Sequence, residues 1–316
     1  MRNSNYHSNN RIAIIGYGSQ GRAVSLNLRD SGYDIVVGLR EDSPSIEIAK
    51  KDNVPTIATV TEAVSTADVI CFAFPDHLHE QVYRKDIKSN LNKNSTLLFL
   101  HGLSIHFGFV QPPEYTDVIL VAPHAPGDAV REKYTGDRSV SAFYGVYQDS
   151  SGHAEQTAID VAMGFGIQKR WLVRTSFEHE AVGDLFGEQA VLCGGLASLV
   201  KNGFDVLVEN GIPAENAYLE VAHQLDLIVD LIKKDGIEGM LRRISVAARF
   251  GSLYTGPKII NSATRARMQT AFDRIRTGNF TDHLRKMTPK EIDELNEACA
   301  EMSDPRFENV IRKYTS

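Results

Sequence analysis

Three glycines begin the part of the chain that could bind a phosphate group. The segment from Arg11 to Gly21 reads R-I-A-I-I-G-Y-G-S-Q-G, four apolar residues followed by a G-x-G-x-x-G turn. Gly16 permits a tight turn, Gly18 lets the backbone approach a pyrophosphate, and Gly21 lets the next helix pack on the strand. The helix that begins at Ser19 and Gln20 offers N–H groups to an anion. The pattern predicts a dinucleotide site, with a purely structural turn as the alternative.

The residues after the second strand indicate which dinucleotide binds. Arg40, Ser43 and Ser45 are spaced to contact a 2′-phosphate, since arginine binds phosphate in a bidentate way and serine donates to its oxygens. Glu41 and Asp42 oppose this, because carboxylates repel a phosphate. A solvated Arg40 and a helix-capping Ser43 are the plainer alternative. We expect NADPH, with NADH still open.

Apolar runs alternate with helical patterns up to about residue 175, which predicts a parallel, doubly wound sheet of the Rossmann-like α/β class. The expected strands are 12–15, 35–37, 69–74, 96–100, 118–121 and 141–146. Ligands of such sheets bind beyond the carboxyl ends of the strands. Pro75 and Asp76, His101, and His124 all follow expected strands, so we place them in that crevice.

Acidic residues in the second half are spaced for one face of a helix. Asp184 and Glu188 are four residues apart, and Glu220 and Gln224 repeat that spacing. Three carboxylates and an amide oxygen suit Mg²⁺. Solvated helix faces carry the same spacing, which is the alternative. Because the Asp184 helix is apolar nearly all round, we expect its carboxylates to be partly buried.

The expected organisation has three parts. Residues 1–10 form a polar, disordered leader, residues 11–175 the NAD(P)-binding domain, and residues 176–316 an all-helical domain for substrate, metal and dimerisation. In the helical part, long helical patterns cover 184–210, 214–234, 237–250 and 262–277, with breaks at 211–213 and 235–236.

The composition is that of an ordinary globular protein. A net charge of −6 over 316 residues disfavours nucleic-acid and anionic-membrane partners. We see neither an apolar run of transmembrane length nor a signal peptide, and expect a cytoplasmic protein that acts on a small molecule. Cys71, Cys193 and Cys299 form no metal-ligand pattern, and the first two are expected in the core.

At this point the sequence resembles the short, class I type of ketol-acid reductoisomerase over nearly its whole length. The shared motifs include G-Y-G-S-Q-G at 16–21, L-N-L-R-D-S-G at 26–32, V-G-L-R at 37–40, H-G at 101–102, D-L-F-G-E-Q-A-V-L-C-G-G at 184–195, and T-G-P at 255–257. The resemblance implies a Rossmann-like domain followed by a knotted helical domain. It also implies a homodimer whose chains share each active site.

The resemblance implies roles for individual residues. Asp184 would bridge two Mg²⁺ ions, and Glu188 would be a ligand of one of them. Glu220, supplied by the other subunit, would be a ligand of the second ion. Ser245 would contact substrate, His101 would lie near the nicotinamide, and the residues matching the 2′-phosphate contacts are Arg40, Ser43 and Ser45. The family's reaction shifts an alkyl group within an acetohydroxy acid and then reduces the resulting ketone.

The sequence departs from the family where the chemistry takes place. His124 replaces the lysine of the A-P-K-G-P-G loop, Gln224 replaces the last glutamate ligand, and Val246 and Ala247 replace polar residues after Ser245. A neutral amide is a poor Mg²⁺ ligand, so we expect the second metal to be weakened or absent. Alkyl migration needs two Lewis-acidic centres, whereas hydride transfer needs an oriented acceptor and a proton source.

The leading hypothesis is therefore an NADPH-dependent reductase of a ketone or imine that has lost the isomerase step, with His124 as proton donor. Asp184 or Glu188 could then stabilise an iminium directly. Three alternatives stay open. They are a genuine Mg²⁺-dependent reductoisomerase of branched-chain amino-acid biosynthesis, a non-catalytic nucleotide-binding paralogue, and a Zn²⁺ or Fe²⁺ site that includes His124.

Overall fold

The computed structural model describes residues 10–315, and the leader expected at 1–10 lies outside them except for residue 10. The chain divides into two compact units between Gly183 and Asp184, inside a helix. Each unit has its own set of elements. The domain boundary expected at 175/176 stays a prediction.

The first unit contains every strand of the described residues. The strands are β1 (Ile12–Ile15), β2 (Ile35–Leu39), β3 (Ile57–Thr59), β4 (Val69–Phe72), β5 (Thr96–Phe99), β6 (Asp117–Pro123), β7 (Ala142–Gln148) and β8 (Leu172–Arg174). The helices are α1 (Ser19–Asp30), α2 (Ser45–Lys51), α3 (Val60–Ser65), α4 (His79–Val82), α5 (Leu103–His106), α6 (Gly127–Thr135), α7 (Ala154–Gly164) and α8 (Phe177–Gly187), the last of which enters the second unit.

The eight strands form one sheet in the order β3-β2-β1-β4-β5-β6-β7-β8. All six expected strands are present, and the Rossmann-like class is confirmed. The expectation of a wholly parallel sheet is wrong at β7, which runs antiparallel to β6. The sequence reasoning missed β3 and β8 because each has only three residues.

The sheet buries both faces, as a doubly wound sheet must. Along β1, Ala13 and Ile15 pack in one apolar cluster, whereas Ile12 and Ile14 pack in another. The same alternation continues through β4, β5 and β6. Successive side chains of a strand point to opposite faces, so a continuous apolar run serves both layers.

The second unit is helical throughout its described residues. Its helices are α9 (Gly194–Glu209), α10 (Ala214–Tyr218), α11 (Leu225–Arg243), α12 (Val246–Ile259), α13 (Ser262–Arg276), α14 (Asn279–Arg285), α15 (Pro289–Met302) and α16 (Pro305–Thr315). Two π-helical segments, Glu188–Leu192 and Leu219–His223, join α8 to α9 and α10 to α11. The breaks expected at Gly211 and Gly236 are confirmed, since both have left-handed φ values of 87° and 74°.

Apolar side chains remain exposed over much of the second unit. Leu192 is 67% exposed and Phe250 is 70% exposed. The stretch Phe177–Glu209 is long and apolar enough, by length and composition alone, to span a membrane, so the expectation that no run reaches that length is wrong. Cys71 is buried as expected, but Cys193, in the turn before α9, is exposed, so the expectation that it lies in the core is wrong.

Asn27 links α1 to two other elements of the first unit, and its replacement gives a test of this fold. Its buried amide nitrogen donates to the Phe165 carbonyl over 2.9 Å, and its oxygen accepts from Arg131 over 2.9 Å. We expect Asn27→Leu to lower the free energy of unfolding by about 2 kcal/mol, because both partners lose their bond. Urea unfolding measures this, with exposed Gln156→Leu as the control. Equal stability of the two variants would contradict the assignment.

Candidate functional site

The glycine turn after β1 has the geometry that its sequence predicts. Gly16 has φ 97°, and a Cβ there would lie 2.5 Å from the Ala73 carbonyl oxygen. A Cβ on Gly21 would lie 2.6 Å from the Gly16 carbonyl oxygen. A side chain at either position would therefore collide with backbone. Gly18, by contrast, has open space around its Cβ position among the described residues, as a turn that receives a ligand requires.

A second feature of this turn is an ion pair behind it. The Tyr17 hydroxyl donates to Asp52, and Arg22 holds the same carboxylate through two bonds of 2.6 and 2.9 Å. These bonds from Arg22 lower the pKa of Asp52. Burial, together with the nearby Asp52 carboxylate, raises the pKa of Tyr17. The network ties the turn and the first turns of α1 to the end of α2.

The residues expected at a 2′-phosphate share one tight turn after β2. The Ser43 N–H donates to the Arg40 carbonyl over 3.0 Å, and the Ser45 N–H donates to the Ser43 hydroxyl over 3.3 Å. The Arg40 side chain is 75% exposed and lies 3.9 Å from Asp42. The structure thus brings Arg40, Ser43 and Ser45 together. Asp42 lies near the same guanidinium and would compete with a phosphate for it.

The polar residues expected in the crevice follow neighbouring strands. β1, β4, β5 and β6 are adjacent and parallel, so their carboxyl ends meet at one edge of the sheet. Pro75 and Asp76 follow β4, His101 follows β5, and His124 follows β6. All four therefore lie beyond the edge that also carries the glycine turn.

Glu180 is a site residue that the sequence reasoning missed. Its carboxylate, 3% exposed, lies 3.0 Å from His101 Nδ1 and accepts from the Gly102 N–H over 2.5 Å. It therefore fixes both the imidazole and the backbone after β5. The signal available in the sequence was the spacing of Glu180, Asp184 and Glu188, each four residues after the last.

His79 supports the turn that contains Pro75 and Asp76. Its buried ring lies 2.6 Å from the Ser104 hydroxyl and 2.9 Å from the Phe74 carbonyl oxygen. Burial lowers the pKa of His79. The ring therefore holds the end of β4 against α5.

The loop that carries His124 is attached to the start of α1. The Gln20 amide donates to the Ala125 carbonyl over 2.7 Å. Gly127 contacts the backbone of Ser19 so closely that a Cβ there would overlap it. His124 itself is exposed, with Nδ1 3.0 Å from the Ser141 hydroxyl. The loop and the glycine turn are thus one continuous surface.

The acids of the second unit lie at its two π-helical segments. Glu188 begins one segment and Glu220 lies in the other. Such wide turns occur often at functional sites. Asp184 and Glu188 are exposed, so the expectation of partial burial is wrong. The physical reason is that the helix buries Leu185, whereas the two acids lie on a side that stays uncovered.

Gln224 contacts Glu220, the residue with which it was expected to bind Mg²⁺. Its amide nitrogen lies 3.3 Å from a Glu220 carboxylate oxygen and 3.2 Å from the Leu219 carbonyl oxygen. The amide thus donates toward Glu220, where a second carboxylate would repel it. Ser245 caps α12 and accepts from the Ala248 N–H over 3.2 Å, which leaves its hydroxyl hydrogen available to donate.

The residues present fit the groups they were expected to hold, though unequally. The exposed carboxylates Asp184 and Glu188 offer the hard oxygen donors that Mg²⁺ prefers. Glu220 and Gln224 offer one carboxylate and one weaker amide oxygen. In the first unit, the open space at Gly18 and the uncapped start of α1 fit a pyrophosphate.

Comparison with known proteins extends over both units. Residues 7–170 match the family model for the acetohydroxy acid isomeroreductase NADPH-binding domain, and residues 177–315 match that for the ketol-acid reductoisomerase C-terminal domain. A relative from Xanthomonas axonopodis pv. citri (strain 306), named ketol-acid reductoisomerase (NADP(+)), is 47% identical over 87% of this chain and 82% of its own. A relative of the same name from Xylella fastidiosa (strain 9a5c) is 45% identical over 90% and 80%.

A solved structure is also similar throughout. The NADH-preferring ketol-acid reductoisomerase from an uncultured archean superposes with a TM-score of 0.91 and 36% identity. The match covers 97% of this chain and 94% of that chain.

The Glu180 contacts give a test of the edge of the sheet. We expect Glu180→Gln to lower the free energy of unfolding by about 2 kcal/mol, because an amide brings a donor toward groups that themselves donate. Thermal unfolding measures the loss, and Glu178→Gln, an exposed change on the same helix, is the matched control. A Glu180→Gln variant as stable as the control would show that these contacts do not stabilise the fold.

Proposed function

Because the chain belongs to the ketol-acid reductoisomerase family, we propose that it is an NADP- and Mg²⁺-dependent ketol-acid reductoisomerase. The observation that carries the proposal is the match of both units to the two family models, together with the retained acids Asp184, Glu188 and Glu220. The similarity supports this activity better than the reduction-only activity that the sequence departures suggested. The substrate is then a small acetohydroxy acid, and the pathway is branched-chain amino-acid biosynthesis.

NADPH would bind at the glycine turn and supply the hydride. Gly16, Gly18, Ser19, Gln20 and Gly21 would hold the pyrophosphate, and the turn after β2 would hold the 2′-phosphate. The guanidinium of Arg40 is free of burial and within one turn of two serine hydroxyls. Asp42 weakens the preference, and NADH remains the alternative cofactor because a similar solved enzyme prefers it.

Mg²⁺ would be held by Asp184 and Glu188, with Glu220 at a second, weaker position. The ions would supply Lewis acidity to the oxygens of the substrate. The chain's own contribution is to present three exposed carboxylates on rigid helices. The amide of Gln224 lowers the negative charge at the second position, so that position would bind its ion less tightly.

Three side chains would lie at the reacting groups of the cofactor and the substrate. His101, fixed by Glu180, would lie at the nicotinamide, and His124 would donate the proton that the ketone oxygen takes after hydride transfer. Ser245 would donate its hydroxyl hydrogen to a substrate oxygen. Val246 and Ala247 after it would narrow the site to a less polar substituent.

We also propose that two chains pair through the second unit. Its exposed apolar side chains include Leu192, Leu199, Phe250 and Leu253, a surface that monomeric soluble proteins rarely expose. A second copy of the same helices would cover this surface and explain why Phe177–Glu209 is apolar without a membrane. Asp184 and Glu188 of one chain would then meet Glu220 of the other, in a cytoplasmic homodimer.

Two observations favour a second candidate function. The Gln224 amide donates to the Glu220 carboxylate, and His124 takes the position of the lysine in the family's A-P-K-G-P-G loop. If the second ion is lost, reduction of a ketone or an imine survives without alkyl migration. This activity differs from the first only in the missing isomerase step.

Turnover of two substrates distinguishes these functions. We expect NADPH oxidation with acetolactate in the presence of Mg²⁺ and its loss on addition of a chelator, because migration requires the metal. Turnover of 3-hydroxy-3-methyl-2-oxobutanoate alone would replace the first function by the second. If NADPH still binds but neither compound nor any member of an imine panel is turned over, the protein would be a non-catalytic nucleotide-binding protein.

Gln224→Glu tests the weakened metal position. We expect the Mg²⁺ concentration for half-maximal acetolactate turnover to fall about tenfold, because a carboxylate replaces a neutral ligand. A magnesium titration at fixed NADPH measures it. The control is Gln269→Glu on α13, where the amide likewise donates to a carboxylate four residues away, that of Asp273. An unchanged titration in Gln224→Glu would remove Gln224 from the metal site.

A further inference from the structure

His124 is held by two contacts with Ser141. The His124 backbone N–H donates to the Ser141 carbonyl over 2.9 Å, and the His124 Nδ1 atom lies 3.0 Å from the Ser141 hydroxyl. The ring also meets Phe143 edge to face, with centroids 4.3 Å apart. Ser141 directly precedes β7 and Phe143 is its second residue, and this strand runs antiparallel to β6.

We propose that Ser141 is a positioning residue that fixes the orientation and tautomer of His124. The Ser141 hydroxyl oxygen accepts from Nδ1–H, so Nε2 becomes the nitrogen that serves the substrate. This inference rests on the proposed function for the identity of the substrate and for the role of His124 as proton donor. The contact itself belongs to the first unit alone.

This arrangement satisfies the proton balance of the reduction. Hydride from NADPH adds to the carbonyl carbon, the π electron pair moves to oxygen, and that oxygen takes the proton from Nε2 of the imidazolium. The product is a neutral imidazole that keeps its hydrogen on Nδ1. A hydroxyl that accepts from Nδ1–H stabilises the ring both before and after the transfer, and water returns the lost proton to Nε2.

The support under this loop extends to the glycine turn. Gln20 donates to the carbonyl of Ala125, the residue after His124, and Gly127 packs on Ser19. The backbone around His124 is thus anchored on both sides, by α1 and by β7. These backbone contacts leave the rotation of the imidazole undetermined, and Ser141 and Phe143 both contact the ring itself.

Kinetics of four variants test the proposal. We expect Ser141→Ala to lower kcat for reduction of 3-hydroxy-3-methyl-2-oxobutanoate about tenfold, because the lost bond is to a charged ring. The KM for NADPH is expected to stay unchanged. Ser141→Thr keeps the hydroxyl and restores kcat. His124→Gln loses about 10²-fold, as loss of a general acid does. The double variant is no slower than His124→Gln, since Ser141 acts through that residue.

The matched control removes another serine hydroxyl beside the same strand. Ser139 donates to the Val140 carbonyl and accepts from the Gln168 N–H. Ser139→Ala is expected to keep wild-type kcat. Thermal unfolding of every variant separates a loss of fold from a loss of positioning.

Nitrogen NMR of ¹⁵N-histidine-labelled protein gives a readout that does not need turnover. His124→Gln identifies the resonance, and at alkaline pH we expect Nδ1 to carry the hydrogen in the wild type but not in Ser141→Ala. An unchanged tautomer, a full kcat in Ser141→Ala, or additive losses in the double variant would each overturn the proposal. If the wild type turned over neither substrate, the proposed function would fail while the NMR result still decided this one.

Discussion

Parallel pairing of the four central strands is the constraint on which the nucleotide-binding unit depends. Ile15 of β1 is level with Phe72 of β4, Phe72 with Phe99 of β5, and Phe99 with Leu120 of β6. β1, β4 and β5 therefore end at one level, and β6 continues to Pro123 at the same edge of the sheet. Every candidate residue of this unit follows within a few residues of that level, so the register of the backbone determines which side chains can share a ligand.

Buried polar groups hold that edge in shape. Glu180 accepts from the backbone after β5 and contacts His101, while His79 connects the end of β4 to Ser104. A buried carboxylate or imidazole is costly unless it is hydrogen-bonded. These groups are bonded to the segments that leave the strands, which keeps the crevice rigid where a cofactor and a substrate would meet.

The second unit solves a different problem. Its acids lie on helices that widen into π-turns at Glu188 and Leu219–His223, and these helices keep a large apolar surface exposed. A Cβ on Gly194 would lie 2.5 Å from the Gln189 carbonyl oxygen, which shows why glycine follows the first of these turns. The same glycine pair that permits the π-turn is part of the motif that identifies the family. Local backbone geometry and the position of the acids are thus linked in one short segment.

The sequence by itself determined the Rossmann-like class, the glycine turn, the long helices and the family, because these depend on local periodicity and on short motifs. It also placed His101 and His124 at strand ends. It did not reveal Glu180, whose partners are 78 and 79 residues away, or the reversal of β7 that brings Ser141 to His124. It wrongly buried Asp184 and Cys193, because a helix that is apolar all round does not say which neighbour covers it. Those features depend on contacts between distant segments, and only the tertiary structure decided them.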